Sequence, residues 1–365
     1  MAAPYAGRVA YQTKSALVVG SGVIGLCSAF RLARRGFFVT QFDPSPAQGA
    51  TRAAAGMIAP SAEILPGELD SYELQRGALS AWRDLSRELG VVTSNEVPLH
   101  ETGTLVIGWD ASDRRMVEQY ATVAAEFGVT PQRVTRSSDE AMFEGISGRI
   151  EEGLFIAGDA WIDPDLAVTL LQKANDSLGV QRVLEEVLEV ESSLDAVVAV
   201  TASKRYQATA GILATGAAPL PQGARASGEH VVRPVRGMTA RVQGLDRSSQ
   251  PTIRAFVRGR TFYMVSRPGG YCVLGATSEE RSEPVVEVGE LQRLLRDSLD
   301  VVPSLESSSL IETRLGLRPA NIDLEPFFEV LAGERWAWVS GHYRHGVTLA
   351  PLASLEVLRF CESVA

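Results

Sequence analysis

The stretch SALVVGSGVIGLCSAFRLARRGFFVTQFD, residues 15–43, decides the fold. Residues 15–20 form an apolar run that reads as a buried parallel strand. Residues 23–35 read as a helix that Gly36 can cap. Residues 37–43 read as the next strand, so a β-α-β unit closes within about thirty residues. Between strand and helix stand Gly20, Gly22 and Gly25, in the spacing G-x-G-x-x-G. Gly20 permits a tight turn, Gly22 lets the backbone approach a pyrophosphate, and Gly25 lets helix and strand pack closely. The helix N-terminus near Val23 and Ile24 offers N–H groups and a partial positive charge to an anion. Asp43 closes the second strand, where a carboxylate can bind the ribose hydroxyls of an adenosine half. These features predict a dinucleotide site, and by themselves they do not separate NAD from FAD.

Working outward, residues 50–57 (ATRAAAGM) are small and follow the acidic strand end closely. They read equally as backbone open to a ligand or as the start of an alanine-rich helix. Helical spacing predicts helices over 72–89, 111–127 and 164–178, the last with Asp163 as N-cap. Strand signals fall at 104–109, 196–201, 212–214, 231–242, 253–258, 261–266 and 271–275, with Gly259-Arg260 and Pro268-Gly269-Gly270 as turns. A late strand at 336–340 precedes a closing helix over 348–360. The pattern predicts an α/β chain: a Rossmann-type nucleotide domain over 1–80, 150–220 and 336–365, with an antiparallel-sheet substrate domain inserted over 81–149 and 221–335.

Composition narrows the function. The chain has 365 residues, is 45% hydrophobic and 22% charged, and carries a formal charge of -9. It can bury a full core, and no basic block invites nucleic acid. Cys27, Cys272 and Cys361 make neither a C-x-x-C pair nor a disulfide framework, which suits a reducing cytosol. The apolar stretch 16–30 is broken by glycines and serines, so we expect neither a secretion signal nor a membrane span. His100, His230, His342 and His345 lack zinc-type spacing, so no metal is expected.

Five further runs follow in order: TRAAAGMIAPSAE, ILATGA, TFYMVSRPGGYCVLGATSEE, GLRPA and GHYRHGVTLAP. With the glycine fingerprint they resemble the glycine oxidase branch of the FAD-dependent D-amino-acid oxidase family, over nearly the whole chain. The resemblance implies an FAD-dependent oxidase. A hydride would pass from the carbon bearing the amine to the flavin, and dioxygen would be reduced to hydrogen peroxide. It implies FAD contacts from Gly20, Gly22, Val23, Ile24, Gly25, Asp43, Pro44, Ala50, Thr51, Ala55, Gly56, Met57 and Gly216. Val187 would contact the adenine through its backbone. His342, Tyr343, Arg344, His345, Gly346, Val347 and Thr348 would wrap the flavin ring. Some members of the family it resembles attach flavin through a cysteine near the last motif; here no cysteine lies between Cys272 and Cys361, so the resemblance implies non-covalent FAD.

The resemblance also implies the substrate machinery. Arg318 would grip a carboxylate with two parallel hydrogen bonds, Tyr263 would assist it, and Arg344 would lie near flavin and substrate. No general base is required if the amine binds neutral, so Glu185, Glu186, Glu279 and Glu280 read as solvated charges. Arg233 and Arg236 receive no role. Where the family usually continues with an Asp-Gly turn, this chain has Pro319 to Phe328 (PANIDLEPFF). We expect that loop near the flavin or the pocket mouth, with Thr261, Phe262 and Ser278 lining the pocket. A pocket altered in this way suits a small amino-acid substrate larger than glycine: an N-substituted glycine such as an N-carboxymethyl amino acid, yielding glyoxylate and a free amine. The alternative is glycine or sarcosine oxidation, as in thiamin precursor synthesis. A cytoplasmic protein is expected, with self-association left open. A nicotinamide dehydrogenase and a flavin-binding sensor are the competing classes.

Overall fold

The computed structural model describes residues 14–64, 69–333 and 335–365, so the start of the first expected segment, residues 1–13, lies outside them. Two sheets carry the fold. The first has six strands in the spatial order Phe327–Val330, Trp336–Ser340, Ala210–Leu213, Ser15–Val19, Phe38–Phe42 and Gln181–Val183. Its strands run parallel except for the edge strand Phe327–Val330. The helices Val23–Arg34 and Gly346–Val364 pack on it through Ala29, Leu32, Ala353 and Val357.

The second sheet has eight strands, ordered Ser309–Ala320, Arg233–Gln243, Tyr271–Gly275, Arg260–Arg267, Thr252–Val257, Thr104–Gly108, Glu152–Ile156 and Gln132–Thr135. Alternation along its strands feeds two cores. Leu105 and Ile107 face a cluster with Leu294 and Val301 of the Val288–Val301 helix. Val106 faces the opposite cluster, with Val117 and Tyr120 of the Ala111–Glu126 helix. Arg236, which the sequence left without a role, is buried against Glu290 and ties one of these helices to the sheet.

The boundaries drawn from the sequence cut across these elements. The helix over 72–89 is two helices, Leu69–Gln75 and Ala78–Thr93. The second buries Trp82, Leu85 and Leu89 against Phe30 of the Val23–Arg34 helix and against Ala167 and Leu171. Glu152–Ile156 pairs into the eight-stranded sheet, and Phe327–Val330 pairs into the six-stranded one. The strand Phe327–Val330 has no counterpart in the sequence reading, and the closing helix begins at Gly346, not 348.

Pro351 sits inside that last helix. It has no N–H, so the carbonyl four residues earlier, on Val347, loses its helical partner. The indole N–H of buried Trp82 donates to that carbonyl at 2.9 Å. Trp82→Phe strips this buried acceptor and is expected to cost about 1–3 kcal/mol of stability in denaturant unfolding.

Candidate active site

A cavity of about 980 Å³ lies where the two sheets meet. Its first end is the glycine turn. Gly20 holds φ +105°, and a Cβ there would stand 2.2 Å from the Ala214 carbonyl oxygen. Gly20, Gly22, Val23, Ile24, Asp43 and Gly216 line the cavity. Gly25 does not; it serves the packing for which its spacing was read, since a Cβ there would meet the Gly20 carbonyl oxygen at 2.2 Å. The Asp43 carboxylate accepts hydrogen bonds from the Ser21 amide and hydroxyl, both at 2.8 Å, and so also braces the turn. The Val23 amide is engaged by the Thr51 hydroxyl at 3.1 Å. The expectation of an open N–H at that position is therefore corrected.

Residues 50–57 are both things they could have been. Ala50–Ala53 is a short helix, while Ala50, Thr51, Ala55, Gly56 and Met57 form cavity wall. The eight-stranded sheet holds this wall by its carbonyls. Thr239 donates to Ala53 at 3.1 Å, Arg241 to Arg52 at 2.9 Å and Arg267 to Ala55 at 3.1 Å.

At the far end, His342, Tyr343, Arg344, Gly346 and Val347 line the cavity, so the positive end of the 19-residue final helix opens onto it. Tyr343 holds φ +43°. Its N–H donates to the Pro319 carbonyl at 2.8 Å, and its hydroxyl lies 3.3 Å from that of Ser278. His345 and Thr348 stand behind this wall: Thr348 donates its hydroxyl to the Met57 carbonyl at 3.1 Å. Burial lowers both His342 and His345 to a pKa of about 4, so both imidazoles are neutral near pH 7. Pro44 is exposed, and Val187 is buried in the core beside Phe42 and Leu213. Neither lines the cavity.

Tyr263 and Arg318 come from different strands of the eight-stranded sheet and line the same cavity. Each is seated by a glycine across a strand pair. A Cβ on Gly237 would stand 2.4 Å from the Arg318 guanidinium carbon, and one on Gly275 would stand 2.1 Å from Cζ of Tyr263. Arg318 Nη1 also donates to the Thr277 carbonyl at 3.1 Å. Burial pushes the Tyr263 hydroxyl up to about 12, so it is a proton donor at neutral pH.

A family model described as FAD dependent oxidoreductase matches residues 15–358. The chain belongs to that family. It is 28% identical over 352 residues to a glycine oxidase of Geobacillus kaustophilus, covering 94% of this chain and 92% of the relative. It is also 28% identical to the bifunctional protein ThiO/ThiG of Synechocystis, covering 94% of this chain and 50% of that protein. The crystal structure of the Geobacillus kaustophilus glycine oxidase superposes with a TM-score of 0.85 at 26% identity, covering 96% of this chain and 95% of that one. An iminodiacetate oxidase from Chelativorans shares the fold, with a TM-score of 0.82 at 23% identity and 96% of each chain covered.

The donor set suits the FAD of this family. A glycine turn with a carboxylate stands at one end, a second helix N-terminus at the other, and a wall of small residues between them. None of the three cysteines lines the cavity; all are buried. Among the described residues no group of three or more His, Cys, Asp or Glu is placed to hold a metal, and no helix is long and apolar enough to cross a membrane.

The expected pocket-lining residues need correction. Phe327 stacks on His230 with ring centroids 4.0 Å apart and meets Trp338 edge-on at 4.8 Å. Phe328 packs edge-on against Phe360 at 5.7 Å. Phe262 is a core residue and Thr261 is exposed. None of these four lines the cavity, nor does Ser278. Of the divergent loop, Pro319 alone does so. Buried Asn321 organises the rest, accepting the Val231 amide at 3.1 Å and donating to Asp323 at 2.9 Å.

The sequence reading missed Gly237, Gly275, Glu63 and Asp159. Glu63 ends the quoted run TRAAAGMIAPSAE and lines the cavity. Asp159 is buried behind it and accepts the Ala62 amide at 3.2 Å. Burial is the main cause that pushes the Asp159 carboxyl up to about 7 from 3.8. The folded state thus binds this proton more tightly than the unfolded chain. The resulting contribution to stability is full below about pH 4 and lost as pH rises through about 7. Asp159→Asn is expected to remove that part of the pH dependence, which urea unfolding at pH 5 and pH 8 would reveal as a smaller loss of stability on the alkaline side.

Proposed function

We propose that this FAD-dependent oxidoreductase oxidises the C–N bond of a glycine-type amine, with an N-substituted glycine as its favoured substrate. The observation that carries the reading is the pair Arg318 and Tyr263, held by two strands and two glycine seats in the cavity that begins at the glycine turn. A guanidinium that can form two parallel bonds matches a carboxylate, and a protonated phenol adds a third donor. Arg344 supplies further positive charge in the same cavity. Gly20, Gly22, Asp43, Ala50, Thr51, Ala55, Gly56, Met57, Gly216 and the wall from His342 to Val347 would hold the cofactor.

When bound, FAD supplies the acceptor for a hydride from the carbon that bears the nitrogen, and dioxygen takes the electrons away as hydrogen peroxide. The chain's own contribution is position. The clamp fixes the carboxylate and thereby the adjacent carbon, so the reaction depends on orientation, not on a side-chain base. The oxidised imine then takes up water to give glyoxylate and the free amine. Leu317, Pro234 and Pro284 line the same cavity and present apolar surface for a substituent on nitrogen. The second reading is glycine or sarcosine itself, and the name of the Geobacillus kaustophilus relative, glycine oxidase, favours glycine. Specificity constants for glycine, sarcosine and a series of N-carboxymethyl amino acids decide between them. The favoured reading expects the largest value in that series, and a value highest for glycine or for sarcosine overturns it.

A further inference from the structure

Glu63 is a carboxylate that the chemistry above does not use. One of its oxygens lies 4.0 Å from a guanidinium nitrogen of Arg254, and the other lies 3.8 Å from Nδ1 of His345. It lines the cavity together with Arg318, Tyr263 and Arg344. Arg254 is itself buried, on the strand Thr252–Val257. The segment carrying Glu63 is pinned from behind. Tyr120 donates its hydroxyl to the Ser61 carbonyl at 2.7 Å, and Asp159 accepts the Ala62 amide.

The charged and titratable groups facing Glu63 are His345 and Arg344 from the turn before the last helix, Arg254 and Arg318 from two strands, Tyr263, and Asp159 from behind. Burial works to raise the Glu63 carboxyl, but the three arginines, joined by His345 once acid protonates it, outweigh burial and hold the group below its ordinary range. A carboxylate kept ionised in this way is a poor proton acceptor, so it does not read as a general base. It is the counter-charge of an arginine-rich cavity.

We propose that Glu63 is a specificity-determining residue: by offsetting Arg254, Arg318 and Arg344, it sets how tightly the cavity holds anions and the pH at which the bound amine loses its proton. The inference rests on the proposed amine oxidation, because a hydride can leave only after the nitrogen is neutral. Removing the negative charge takes one counter-charge away from Arg254, Arg318 and Arg344 and makes the cavity more positive. Carboxylates then bind more tightly, and the ammonium form of the substrate is disfavoured.

The test uses the FAD-loaded enzyme, with glycolate as a carboxylate probe that carries no amine. Glycolate affinity is read from the perturbed flavin spectrum, and the acid limb of anaerobic flavin reduction is followed against pH with the parental enzyme's best amine. Glu63→Gln should bind glycolate roughly tenfold more tightly and move the acid limb about one unit to lower pH. Glu63→Asp should keep both near the parental values. Because Glu63→Gln strands a buried guanidinium, the double variant Glu63→Gln with Arg254→Gln is made alongside. It restores the net charge and should bind glycolate within about twofold of the parent. Unchanged or weaker glycolate binding in Glu63→Gln overturns the proposal, as does markedly altered binding in the double variant. If no glycine-type amine reduces the parental flavin, the amine reading fails while the glycolate arm still reports on Glu63. If the parent is reduced but the acid limb stays in place, the Glu63 proposal alone fails.

Discussion

Arg318→Leu is expected to lower kcat/KM for a glycine-type amine by about 10²–10⁴-fold while the protein keeps its flavin. The range follows from losing two charge-assisted hydrogen bonds, each worth about 1.5–3 kcal/mol when shielded from water. Flavin retention should survive because the cofactor-facing features, the glycine turn and the wall from residue 50 to 57, belong to other segments. Lysine at this position should recover little, since an ammonium cannot make the planar two-bond grip. Steady-state kinetics with flavin content measured on the same samples checks this. Turnover within a fewfold of the parent would remove Arg318 from the clamp.

A second large effect is expected from a residue that touches no substrate. Gly275→Ala places a methyl group 2.1 Å from Cζ of Tyr263, far inside van der Waals contact. The backbone at Gly275 lies outside the left-handed region, so alanine is acceptable to the strand itself. What must yield is the ring. A displacement of about 1 Å in a positioning group can cost on the order of a hundredfold in rate, and that is the expected loss in kcat/KM. Because the loss acts through Tyr263, it should nearly vanish in a Tyr263→Ala background. A full hundredfold penalty in that background would show that Gly275 matters for some other reason. The parallel change Gly237→Ala crowds the Arg318 guanidinium at 2.4 Å, but the long side chain can swing aside more cheaply.

The two glycines show where sequence reading runs out. The β-α-β unit at residues 15–43 was legible because its signals are local: an apolar run, glycines at fixed spacing and an acidic strand end. Tyr263 and Arg318, singled out by the motif runs, both line the cavity. Gly237 and Gly275 are informative through cross-strand register, which pairs Gly275 with Tyr263 and places Gly237 beside Arg318, and register cannot be read along one strand. Glu63 was printed inside a recognised run, yet its setting comes from arginines at 254, 318 and 344, brought together only by the fold. The error at Phe327 and Phe328 has a plain cause. A departure from the family pattern was read as a change of pocket, whereas the two rings close a short edge strand against His230, Trp338 and Phe360. The Thr51 hydroxyl on the Val23 amide is a similar case, since a capping partner 28 residues away leaves no local trace.

FAD bound between the two sheets is expected to take electrons from an amine next to a carboxylate. The direct measurement is an anaerobic titration of the FAD-reconstituted, gel-filtered protein with glycine, sarcosine, D-alanine and several N-carboxymethyl amino acids, followed by admission of air. The expected result is a yellow protein that is bleached by at least one glycine-type amine, regains its colour in air, and releases one hydrogen peroxide for each glyoxylate. A protein that holds FAD but stays yellow with every amine, or one that holds no flavin at all, would contradict it.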